Sequence, residues 1–89
     1  MSYECHITAQ VKDAKVCELI ARAEGWKTSE IKRDPILGDG SHFYLTCHHH
    51  NFMTIFGKMK DTANKLGDAG ITVLRKKIEH IIYDSRSLH

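Results

Sequence analysis

Cys5-His6-Ile7-Thr8-Ala9-Gln10-Val11 and Ser41-His42-Phe43-Tyr44-Leu45-Thr46-Cys47-His48 decide the fold, because both stretches alternate between apolar and polar side chains. Successive side chains of a strand point to opposite faces. Cys5, Ile7, Ala9 and Val11 therefore share one side of the first strand, with His6, Thr8 and Gln10 on the other. In the second, Phe43, Leu45 and Cys47 oppose His42, Tyr44, Thr46 and His48. Side by side, the two strands bury one apolar face and expose a shared face of imidazoles, hydroxyls and one amide. Such groups exchange protons and hydrogen-bond phosphate oxygens.

The intervening segments supply helices. Asp13 reads as a cap for a helix with Val16, Leu19, Ile20 and Ala23 at helical spacing, stopped by Gly25. Trp26 to Ile31 reads as a short strand, and the segment from Arg33 to Gly40 as a loop punctuated by Pro35 and two glycines. Asn51 caps a second helix carrying Phe52, Ile55, Phe56, Met59, Ala63 and Leu66, ended by Gly67 and Gly70. The stretch from Ile71 to Tyr83 fits either a strand or a helical stripe of Leu74, Ile78, Ile81 and Ile82. The strand is preferred, with a bulge or bend near Arg75 to Lys77 where the alternation changes phase. The expected fold is a single α+β domain over residues 1–89, a ferredoxin-like split βαβ (βαββαβ) with two helices on one face of an antiparallel sheet.

Composition bounds the function. The chain has 89 residues, and 13 Lys plus Arg against 11 acidic residues give a net charge of +2. That balance does not by itself imply a polyanion partner. A chain this short has a thin core, so an active site is expected on an open sheet face, beside a loop, or in a cleft completed by a second copy. No basic leader, apolar signal core or membrane-spanning run is visible, and the expectation is a soluble cytoplasmic protein with no membrane partner. Cys5, Cys17 and Cys47 are odd in number and form no Cys-x-x-Cys pair, so they read as core residues.

Several further groups carry chemistry. His48-His49-His50 suggests a metal, but neighbouring strand residues diverge, and no metal or other cofactor is expected. The glycines of Asp34 to Gly40 fit an anion nest or an ordinary turn. Trp26 is a stacking surface for a base or a core anchor. Arg75, Lys77 and Glu79 share one side of the last strand, as a phosphate contact or a solvated charge face. The third strand lacks the basic residue, glycines and paired outward aromatics of an RNA-recognition module, so conventional RNA recognition is disfavoured.

His6-Ile7-Thr8 resembles half of the two-histidine phosphoesterase signature, which repeats His-x-Thr or His-x-Ser. A symmetric homodimer would supply the second copy. More broadly, Tyr3-Glu4-Cys5-His6-Ile7-Thr8, Gly25-Trp26-Lys27 with Ser29 and Ile31, Asp34-Pro35 with Leu37-Gly38-Asp39, Tyr44-Leu45-Thr46, and Leu74-Arg75-Lys76-Lys77-Ile78-Glu79 resemble a family of small stand-alone phage and bacterial domains without an established activity. Lys76 departs from that pattern, where an acidic residue is expected. The resulting expectation is a phosphorylated small molecule, a nucleotide or cyclic nucleotide, on the open sheet face. His6 and Thr8 would be the catalytic or phosphate-contacting pair, with Tyr44, Thr46, His48, Trp26, Arg75, Lys77 and Glu79 around the ligand. The protein would act by sequestration or as a half-site phosphoesterase. The alternative is a non-catalytic homodimerisation or protein-interaction module.

Overall fold

The computed structural model describes residues 2–10, 14–34 and 38–82. Their order is β1 (Ser2–Gln10), α1 (Ala14–Ala23), β2 (Lys27–Asp34), β3 (Gly38–His49), α2 (Phe52–Asp68) and β4 (Thr72–Ile81). The strands form one antiparallel sheet in the order β2-β3-β1-β4. This α+β arrangement is consistent with the ferredoxin-like expectation. Asp13, Val11 and Tyr83 lie outside the described residues.

The register follows the alternation. Cys5 pairs with Cys47, and Ile7 with Leu45 across β1 and β3, while Cys5 pairs with Ile78 across β1 and β4. Cys5, Ile7, Phe43, Leu45 and Cys47 join Cys17, Ala21, Ile55, Met59 and Leu66 in one buried cluster beneath both helices. Each fully buried Ile or Leu contributes about 1.5–3 kcal/mol relative to exposure. Along β4, Thr8 pairs with Arg75 but Ala9 with Val73, which leaves Leu74 as an extra residue. This bulge lies just before the expected Arg75 to Lys77 stretch, and it returns Val73 to the helix-covered side.

Three expectations are corrected. Arg33 to Gly40 is not simply a loop: β2 continues to Asp34 and β3 starts at Gly38, with Arg33 paired to Asp39. Ladder hydrogen bonding overrides the turn propensity of the glycines at positions 38 and 40. On α1, Val16, Leu19 and Ala23 face outward, while Cys17 and Ala21 are buried. The buried positions of this helix carry small side chains, and Trp26 is buried in the same cluster. On α2 the inward set is Ile55, Met59, Thr62 and Leu66, leaving Phe52 and Phe56 exposed. Those two rings instead extend an aromatic row, with Phe56 stacked on Phe52, Phe52 edge-on to Tyr3, and Tyr3 stacked on His80.

Both helices end in the same way. Gly25 donates to Arg22 and Trp26 to Ala21, and Gly70 donates to Gly67 and Ile71 to Leu66. Gly25 and Gly70 have φ of 81° and 79°, the left-handed conformation of a glycine-terminated helix. At α2's other end, Asn51 accepts the Thr54 amide at 3.0 Å, as its expected capping role requires. Among the described residues, no helix is long and apolar enough to cross a membrane.

The first of these turns swings Trp26 into the core, where its Nε1 donates to Thr62 Oγ1 at 2.9 Å. Thr62→Val keeps the shape but orphans this buried donor, so it is expected to cost about 1–3 kcal/mol in urea unfolding followed by tryptophan fluorescence. A loss below about 0.5 kcal/mol would remove the bond from the account.

Candidate functional site

Directly paired residues of adjacent strands share a face, so the register can be read across the sheet as rows. One row runs Lys27, Thr46, His6, Lys77 from β2 to β4. The next runs Ser29, Tyr44, Thr8, Arg75. These rows contain two lysines, an arginine, an imidazole, three aliphatic hydroxyls and a phenol, without a carboxylate. A third row, His48, Glu4, Glu79, is acidic at its centre. With strands about 4.8 Å apart, each four-strand row is about 14 Å wide.

His6 lies at the junction of these rows. Its Nδ1 is 3.3 Å from Thr46 Oγ1, and its Nε2 is 3.1 Å from Glu4 Oε1 and 3.5 Å from Glu79 Oε1. Glu4 Oε2 also reaches His48 Nε2 at 3.3 Å, and Lys77 Nζ contacts Glu79 Oε1 at 2.8 Å. A proton on Nε2 satisfies the carboxylate side, and in that neutral tautomer Nδ1 accepts from Thr46. The hydroxyl, imidazole and carboxylate thus form a relay that can move a proton between strands. Lys77 beside Glu79 holds that carboxyl below the usual glutamate range, first through its hydrogen bond and then through its charge.

Arg75, Lys77 and Glu79 therefore share the His6 face, a point that the phase change in β4 obscures in the sequence. Tyr44 and Thr46 are half-buried there and His48 is exposed. Thr8 is buried between Tyr44 and Arg75, so the hydroxyl in contact with His6 is that of Thr46. Trp26 is not brought to this face; its place in the helix-side core is that of an anchor. His49 and His50 stack with ring centres 4.5 Å apart, and His49 Nδ1 accepts from the Asn51 amide. His42 is buried, with an Nδ1 that has no hydrogen-bond partner among the described residues. Of the nest considered at Asp34 to Gly40, positions 35–37 lie outside the described residues.

Glu4, Lys27 and Ser29 were not among the expected site residues. Glu4 precedes His6 by two positions and continues the same alternation, a signal present in the sequence. Lys27 and Ser29 become partners of the site only through the β2–β3 register.

No protein-family model matches the chain, and no curated protein matches it.

The depressed Glu79 carboxyl contributes stability above the ordinary glutamate pKa, and that contribution is lost as pH falls through its lower folded value. Lys77→Met is expected to move the Glu79 titration to higher pH in carboxyl-detected NMR. An unchanged midpoint would show that Lys77 does not set it.

Proposed function

We propose that the helix-free sheet face binds a phosphorylated small molecule, a nucleotide or cyclic nucleotide by class, on a ferredoxin-like split βαβ scaffold. The observation that carries this reading is the pair of carboxylate-free rows, Lys27-Thr46-His6-Lys77 and Ser29-Tyr44-Thr8-Arg75. Phosphate oxygens need several donors and nearby positive charge, and these rows offer both. Glu4 and Glu79 border one side and repel an anion, directing it toward the row containing Thr8 and Arg75. Lys77 is held by Glu79, but an exposed ion pair is weakened by solvent screening. A doubly charged phosphate can displace it at little cost. Tyr44 supplies a ring for the base or sugar.

Sequestration needs nothing more. In a hydrolytic version, His6 is the general acid or base, and a homodimer brings the second His-x-Thr of the phosphoesterase-like pattern. The resemblance to phage domains supports a sequestering role in a cytoplasm. The second reading, an interaction module, is favoured by the exposed Phe52, Met53 and Phe56 at the start of α2.

A nucleotide panel followed by thermal shift, with products monitored by mass spectrometry, separates these readings. At least one phosphorylated ligand is expected to stabilise the protein, and Arg75→Ala and Lys27→Ala each to weaken its affinity about tenfold or more. His6→Ala is expected to abolish any turnover. A protein that no phosphorylated ligand stabilises, and that self-associates through Phe52 and Phe56 in light scattering, contradicts the ligand reading and supports the alternative.

A further inference from the structure

Beneath the polar face, the central strands carry a pair of thiols that the ligand site does not use. Cys5 of β1 and Cys47 of β3 are direct cross-strand partners, both free and both buried. Opposed residues of an antiparallel pair have Cα atoms about 4.5 or 5.5 Å apart, and disulfides span Cα separations of about 4.4–6.8 Å. Either type of pair thus has its Cα atoms within bridging range, and bridging draws the Cβ atoms from about 4.5–5.5 Å to about 3.5–4.5 Å. We propose that Cys5 and Cys47 form a reversible intramolecular disulfide on exposure to a small hydroperoxide, joining the two central strands.

The two thiols are already in contact and differ in character. Cys5 donates its S–H to Cys47, which raises the Cys5 pKa, together with burial. Accepting that bond lowers the pKa of Cys47 against the opposing effect of burial, and the charge of Lys58 adds to the lowering. Cys47 is also the less enclosed of the two, 6% exposed against 0% for Cys5, and is the nucleophile, with Cys5 the resolving thiol. The Cys47 thiolate attacks one peroxide oxygen, the O–O bond breaks, and protonated alkoxide leaves as an alcohol, or as water when the oxidant is hydrogen peroxide. The resulting Cys47 sulfenic acid is attacked by Cys5 sulfur, the S–O bond breaks, and the hydroxyl leaves as water with the Cys5 proton. Two electrons pass from the thiols to the peroxide. Burial selects the oxidant: Cys5 is fully enclosed and Cys47 nearly so, which admits peroxide more readily than a bulky disulfide. Cys17 stands apart on α1, its thiol raised to about 11 by burial alone. This inference is independent of the proposed ligand.

The test treats the reduced protein with hydrogen peroxide and measures intact mass without reductant. A monomer lighter by two hydrogens is expected, with a peptide map joining Cys5 to Cys47 and full reversal by dithiothreitol. Cys17→Ala should retain that loss, and Cys47→Ala should eliminate it. Because Cys47→Ala alters the core, Cβ chemical shifts of Cys5 and Cys47 in the unmutated protein give a second readout, moving to oxidised values together. No mass loss, oxygen addition without hydrogen loss, a Cys17 linkage, or intermolecular disulfides would each overturn the proposal.

Discussion

The register of β1 between β3 and β4 is the constraint on which everything else depends. Its side-chain period is two, so a slip of one residue on either side would bring His6 and Thr8 under the helices and expose Cys5 and Ile7. Both neighbours hold the same phase: Ile7 meets Leu45, and Cys5 meets Cys47 and Ile78. The apolar cluster beneath the helices therefore fixes the polar rows above them. Burial on one face supplies the energy, and the other face inherits its geometry.

The helices reinforce that register at their ends rather than along their whole lengths. The glycine-terminated turns at Gly25 and Gly70 reverse the chain within a few residues and feed Trp26 and Ile71 back toward the sheet. Trp26 then bonds Thr62 of α2, while Lys65 of α2 pairs with Glu24 at the end of α1. One helix is thus joined to the other and to the start of β2. That connection also positions Lys27, the residue after Trp26, at the β2 end of the candidate site.

Much of this was legible in the sequence because alternation reports facing directly. The central strands, both helices, the Asn51 cap and the buried thiols follow from local pattern. The helix faces do not: α1 has apolar residues on two sides, and only its packing in the folded chain shows that Cys17 and Ala21 are buried while Val16 and Leu19 are exposed. Trp26 is similarly ambiguous until Thr62, 36 positions away, is brought to its Nε1. In β4 the extra residue Leu74 breaks the alternation, so the facing of Arg75, Lys77 and Glu79 depends on pairing with β1. The Thr46 contact to His6 is likewise a product of register, invisible to a motif that looks only along one strand.

The central claim is that this register assembles a phosphate-binding surface from all four strands. An NMR titration of the isotope-labelled protein with a nucleotide that stabilises it tests this most directly. The account predicts shift changes concentrated at Lys27, Ser29, Tyr44, Thr46, His6, Thr8, Arg75 and Lys77, with the Tyr3, Phe52 and Phe56 aromatic row unaffected. Changes confined to that aromatic row or to the helices would contradict it.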